Sequence, residues 1–129
     1  MNRLLLLPLL LLAMLFSSCK KEEVVITNRT ILQTIRPVDW KYDNATLTYY
    51  AVIDHPAIDQ YTVDNNGIIV AISSDDAIWE AIPDVYNGYA YTYTYQTGSL
   101  VLEVQGATGS TVNPPASNIL VKIVIVESR

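Results

Sequence analysis

The sequence predicts an all-β fold: a single β-sandwich, Ig-like or similar, of about seven short antiparallel strands. Short segments rich in β-branched and aromatic residues recur along the chain, and Asp, Asn, Gly and Pro separate them. Helices between the strands, which a parallel α/β fold requires, are missing from the pattern. As the largest apolar side chains, Trp40 and Trp79 should be at least partly buried.

Each predicted strand is a run of at most eight residues. The runs are 30–36, 46–53, 68–73, 77–82, 89–95, 100–105 and 119–126. Residues 68–72 and 119–126 are apolar on both faces except for Lys122, which predicts central strands. Apolar spacing permits a short helix over 58–64, and Gly and Pro in 106–118 indicate a long surface loop.

Four tyrosines, here called the tyrosine ladder, alternate with small residues. They are Tyr89, Tyr91, Tyr93 and Tyr95. Their rings should project from one face of a strand. An exposed row of rings would be a platform that contacts a glycan, whereas a buried row would be part of the core.

The register of the following hairpin separates these two interpretations. A two-residue turn at 97–98 gives the pairs Tyr95–Leu100, Tyr93–Leu102 and Tyr91–Val104. Tyrosine then faces leucine, and threonine faces Glu103 on the other side. A three-residue loop would shift the pairing by one residue and expose the rings. The commoner turn favours the ladder as core, and the glycan platform is the alternative.

The amino terminus has the plan of a signal peptide. Arg3 precedes an apolar run from Leu4 to Phe16, shorter than the roughly 20 residues that span a membrane. Leu15-Phe16-Ser17-Ser18-Cys19 resembles the lipobox of bacterial lipoproteins, in which the cysteine is acylated. The resemblance implies a signal peptide over 1–18 and lipid on Cys19, the only cysteine of the chain.

The residues after the cysteine extend this resemblance. Lys20-Lys21-Glu22-Glu23 is similar to the export signal of surface lipoproteins of the Bacteroidota, and the chain resembles their small lipoproteins. A lipidated tether over 19–28, a sandwich domain over 29–129 and an outer-membrane location are implied. Surface exposure and a periplasm-facing anchor are both open. The resemblance brings no activity and no cofactor with it.

Composition and single residues limit the chemistry. Thirteen acidic and eight basic residues give a net charge of −5 without a basic stripe, which disfavours nucleic acid as a partner. His55 is the only histidine, so the usual zinc ligands are too few, and it precedes a proline as loop residues often do. The Asp/Asn groups at 64–67, 75–76 and 84 lack EF-hand spacing and are typical of turns. We therefore expect no catalytic residue, metal or cofactor.

These observations predict a lipid-anchored envelope lipoprotein whose domain is a non-catalytic binding module for a glycan or a protein. The membrane is a partner through the lipid, and the tyrosine ladder supplies the candidate ligand contacts. A structural subunit of an envelope assembly is the alternative, which a long unprotected edge strand would favour. A hydrolase is the third and least favoured hypothesis.

Overall fold

The computed structural model describes residues 27–128, which fold as two antiparallel sheets packed face to face. The predicted all-β sandwich is confirmed, with nine strands in the described part rather than about seven. The predicted signal peptide, Cys19 and most of the tether lie outside the described residues.

Strands account for most of the described chain. They are β1 (Arg29–Ile35), β2 (Lys41–Asp43), β3 (Thr48–Asp54), β4 (Gly67–Ser73), β5 (Glu80–Ile82), β6 (Asp84–Tyr86), β7 (Tyr89–Gln96), β8 (Ser99–Gly106) and β9 (Ile119–Val126). Sheet A has the order β1-β9-β4-β5, and sheet B has the order β2-β3-β8-β7-β6. A 3-10 turn, Pro37–Asp39, and one helix, α1 (Gln60–Asn65), complete the elements.

The core lies between the two sheets and is built from alternate residues of the central strands. In sheet A, Val121 and Ile123 of β9 and Val70 of β4 are fully buried. Leu100 and Leu102 of β8 oppose them from sheet B, also fully buried. The two runs predicted as central strands are thus β4 and β9, each paired on both sides.

Two strands escaped the sequence analysis, and one is shorter than predicted. β2 and β6 have three residues each, too few for alternation to be recognised. β5 begins at Glu80 because the preceding segment forms a turn, in which the amides of Ala77 and Ile78 donate to Asp75 Oδ1 at 2.9 Å. The loop predicted over 106–118 is confirmed from residue 107 onward.

The helix predicted over 58–64 is α1, displaced by one to two residues at its ends. Asp59 caps it, since one carboxylate oxygen accepts the Thr62 amide at 2.8 Å. This hydrogen bond lowers the pKa of Asp59. No helix in residues 27–128 is long and apolar enough to cross a membrane.

Both tryptophans lie where their size predicts. Trp40 is buried beside the core. Trp79 is partly buried on the outer face of sheet A, where Lys122 Nζ lies 3.9 Å from the ring centroid. This cation–π contact accounts for a lysine in the middle of an otherwise apolar central strand.

Candidate binding cavity at one end of the sandwich

The tyrosine ladder occupies β7, and its register with β8 is the one that a two-residue turn predicts. Tyr91, Tyr93 and Tyr95 pair with Val104, Leu102 and Leu100 respectively. Gly98 of the turn has a φ of 90°, a left-handed conformation that favours glycine. The ladder therefore shares the inner face of sheet B with fully buried leucines.

All four rings are partly buried and pack against the core. The ring centroids of Tyr93 and Tyr95 lie 6.5 Å apart, and those of Tyr89 and Tyr91 lie 6.4 Å apart. The Tyr93 hydroxyl donates to the carbonyl of Ile68 at 2.6 Å, which joins sheet B to sheet A. Burial raises the pKa of Tyr93, with a further contribution from Tyr95. The ladder thus serves packing along most of its length.

One end of the ladder opens into a cavity of about 320 Å³ between the sheets. Tyr91 lines it from β7, and Tyr86 lines it from the neighbouring edge strand β6. Because Tyr86 pairs with Tyr89, and Asp84 with Tyr91, the side chain of Tyr86 projects from the same inner face. Tyr86 is 58% exposed, so its ring is accessible to a ligand.

Sheet A contributes a carboxylate to the same cavity. Glu80 pairs with Ile72 at the start of β5, two residues before the buried Ile82, and therefore points toward the space between the sheets. It is partly buried, and its carboxylate accepts no hydrogen bond from residues 27–128. The pKa of Tyr91 is raised, first by burial and then by the charges of Tyr89 and Glu80. The Glu80 carboxylate, a hydrogen-bond acceptor, and the Tyr91 hydroxyl, a hydrogen-bond donor, thus line the same cavity.

The wall beside Glu80 is a loop fixed by Asp75. Its Oδ1 accepts hydrogen bonds from the amides of Ala77 and Ile78 and from the Ser73 hydroxyl, the last at 3.1 Å. These hydrogen bonds lower the pKa of Asp75. The Ser73 hydroxyl also accepts the Asp76 amide at 3.0 Å. The loop wall is therefore ordered by its own hydrogen bonds, as a preformed site requires.

The cavity lies at the end of the sandwich opposite to the start of the domain. Arg29 at the start of β1 pairs with Ile125, whereas Ile35 at its end pairs with Ile119, which lines the cavity. Seven residues of strand separate these ends by roughly 20 Å. A lipid joined to the amino-terminal side would leave the cavity unobstructed.

His55 lies at the other end and lines a second cavity of about 320 Å³ with Arg29 and Asp59. Its Nδ1 accepts the Ala57 amide at 3.1 Å, and its own amide donates to the Gly98 carbonyl at 3.0 Å. A Ser-His-Asp triad uses this ring nitrogen to bind the carboxylate. The histidine instead fixes the turn between β3 and α1.

Asp64 and Asp84, which the sequence singled out, make local hydrogen bonds. The Asp64 carboxylate accepts the side-chain amide of Gln60 at 2.8 Å on α1, and the Asp84 carboxylate accepts the backbone amide of Val85 at the start of β6. Within residues 27–128, no three His, Cys, Asp or Glu side chains come together in a way that would hold a metal ion.

Sequence reasoning identified Tyr91 but missed the residues that surround it. One feature of the sequence could have identified Glu80. In the predicted strand 77–82 it lies on the same face as Ile78 and Ile82, so it is a charged residue where an apolar residue is expected. No such feature marked Tyr86, and Asp75 was assigned to a turn but not to a site. Their proximity to Tyr91 arises from the pairing of β6 and from the turn before β5.

A comparison of the chain with protein families, with curated proteins and with solved structures finds no match.

Proposed function

We propose that the chain is a lipid-anchored envelope lipoprotein of the outer membrane whose β-sandwich binds a glycan without catalysis. The cavity at Tyr86, Tyr91 and Glu80 is the ligand site. The proposal rests on one observation above all: the inward-pointing carboxylate of Glu80, which accepts no hydrogen bond from residues 27–128, shares a preformed cavity with two tyrosine rings.

The chemistry of the lining selects the ligand class. The exposed ring of Tyr86 offers an apolar face to the C–H groups of a sugar, and the Glu80 carboxylate and Tyr91 hydroxyl accept and donate hydrogen bonds. Asp75 and Glu80 make the opening acidic, which disfavours phosphorylated or other anionic ligands. A neutral glycan fits these features best.

The location supports the same function. Lipid on Cys19 would hold the amino-terminal side of the domain at the membrane. The cavity would then lie roughly 20 Å from the residue that follows the tether. Whether the anchor lies in the outer or the periplasmic leaflet does not alter this arrangement.

The test is binding of the full chain to an array of neutral oligosaccharides, followed by titration calorimetry with the best ligand. Tyr86→Ala should weaken binding at least about tenfold, equivalent to 1.4 kcal/mol. Glu80→Gln should also weaken it, because the amide keeps the shape of the side chain but is a poorer acceptor.

Tyr61→Ala is the matched control, since Tyr61 is a 66% exposed tyrosine that lines the other cavity. Its affinity should equal that of the wild type. The proposal is wrong if Tyr86→Ala and Tyr61→Ala bind alike, or if the array binds nothing while the chain captures a peptide.

A second candidate function is that of a structural subunit in an envelope assembly. One observation favours it: β1 is a seven-residue strand at an edge of sheet A that no strand of residues 27–128 covers. Such an edge is a template for pairing with another strand.

A further inference from the structure

The four strands at the edges of the sheets differ in how they are protected against pairing. β2, β5 and β6 are three residues long, and each contains a charged residue. β1 has seven residues and no charge from Thr30 to Ile35. Short length and charge are the devices by which soluble proteins block edge pairing. β1 is longer than the other edge strands, and its one charged residue, Arg29, lies at its first position.

The outer edge of β1 is open within the described part of the chain. Its register with β9 runs without interruption from Arg29 to Ile35, so no bulge turns the edge away. Its outward amides and carbonyls have no hydrogen-bond partner among residues 27–128. Only Ile31 and Ile35 are buried, and Leu32 is 67% exposed.

We propose that this edge is the interface of a homodimer, in which β1 pairs antiparallel with β1 of a second copy about a two-fold axis at Leu32. The two four-stranded sheets would then form one continuous eight-stranded sheet. This proposal does not depend on glycan binding at the cavity. It concerns the β1 edge that favours the second candidate function, and it identifies a second copy of the chain as the partner at that edge.

The sequence of β1 is symmetric about Leu32 on its outer face. Thr30 and Thr34 flank Leu32 at equal distances, so the axis places Leu32 opposite Leu32, and Thr30 opposite Thr34 of the second copy. Threonine–threonine cross-strand pairs stabilise antiparallel sheets, and two facing leucines bury apolar surface. A two-fold interface requires this self-complementarity, whereas pairing with an unrelated strand does not.

Charge also favours a second copy at this edge. The chain has a net charge of −5, so two copies repel each other over most of their surface. β1 has no acidic residue, and the axis places Arg29 opposite Ile35 rather than opposite another charge. Of the two edge strands of sheet A, β1 has no acidic residue, whereas β5 contains Glu80.

The anchors are compatible with this arrangement. Antiparallel pairing places the two chain entries at opposite ends of β1, roughly 20 Å apart. The ten residues from Cys19 to Asn28 span at most roughly 33 Å when extended, so both lipids would reach one membrane. Confinement to that membrane would raise the effective concentration of the second copy.

Disulfide trapping of the full-length protein in its native envelope tests the axis. Leu32→Cys places two thiols directly opposite each other and should give a covalent dimer on a non-reducing gel. Thr34→Cys is the matched control, because its two copies would lie roughly 13 Å apart along the strand, beyond the roughly 7 Å that a disulfide spans. Ile69→Cys, on the outer face of β4, reports random collision. All variants retain Cys19.

The register is tested separately by co-expressing differently tagged Thr30→Cys and Thr34→Cys chains, which should form a mixed disulfide that neither forms alone. Leu32→Lys should weaken dimerisation at least about tenfold in detergent solution, since it opposes two like charges. Equal trapping of Leu32→Cys, Thr34→Cys and Ile69→Cys, or a monomeric wild type, overturns the dimer. If the protein is monomeric and binds a glycan, the dimer is refuted and the proposed function is supported. If the protein dimerises but binds no glycan, only the proposed function is refuted.

Discussion

The hydroxyl of Tyr93 links the two sheets, and its removal provides the sharpest test of the ladder as core. Tyr93 extends from β7 in sheet B, and its hydroxyl donates to the Ile68 carbonyl of β4 in sheet A at 2.6 Å. The ring packs against the core beside Leu102. Replacing this side chain therefore removes both a packed ring and a hydrogen bond between the sheets.

The two contributions are separable by two substitutions. Burial of roughly 100 Å² of ring surface at about 25 cal/mol per Å² is worth about 2.5 kcal/mol, and the hydrogen bond contributes about 1 kcal/mol. Tyr93→Ala should therefore lower the free energy of unfolding by about 3.5 kcal/mol. Tyr93→Phe keeps the ring and should cost only about 1 kcal/mol.

Urea denaturation followed by circular dichroism measures both values. With a slope of about 1.5 kcal/mol per M, the midpoint should fall by about 2.3 M for Tyr93→Ala and by about 0.7 M for Tyr93→Phe. Tyr86→Ala, at an exposed position, should shift the free energy by no more than about 0.5 kcal/mol. A midpoint of Tyr93→Ala equal to that of the wild type would refute the core assignment of the ladder and restore the exposed platform.

Two further predictions concern the anchor and the loop wall of the cavity. Metabolic labelling with a fatty-acid analogue should tag the wild type and leave Cys19→Ala unlabelled, and label on Cys19→Ala would exclude lipidation at that residue. The lowered pKa of Asp75 implies stability that is present above its unfolded value of 3.8 and is lost as the pH falls through the folded value. Asp75→Asn keeps an acceptor but does not titrate, so its urea midpoint should fall less than that of the wild type between pH 6 and pH 3, and parallel curves would contradict this.

The local sequence predicted seven of the nine strands of residues 27–128 and the register of the principal hairpin. Residues 68–72 and 119–126 are apolar on both faces, which predicted β4 and β9 as central strands. A strand that is covered on both faces needs apolar side chains at successive positions. The turn at Thr97 and Gly98 predicted the pairing of the ladder with β8, because a two-residue turn fixes the register of everything that follows.

The sequence also contains the segment on which the prediction of location rests, since the plan of a signal peptide and the resemblance to a lipobox are both read from residues 1–23. The sequence analysis therefore predicts lipidation of Cys19 without reference to the fold.

Only the tertiary structure decided which residues meet at the candidate site. Glu80 faces Tyr91 because β5 belongs to sheet A and β6 to sheet B, and the chain passes between the sheets in the interval from Ile82 to Asp84. Strand alternation specifies the side of a strand on which a residue lies, but not the strand that lies opposite. The open edge of β1 is a property of the same kind, since whether a strand is central or at an edge depends on how the whole chain pairs.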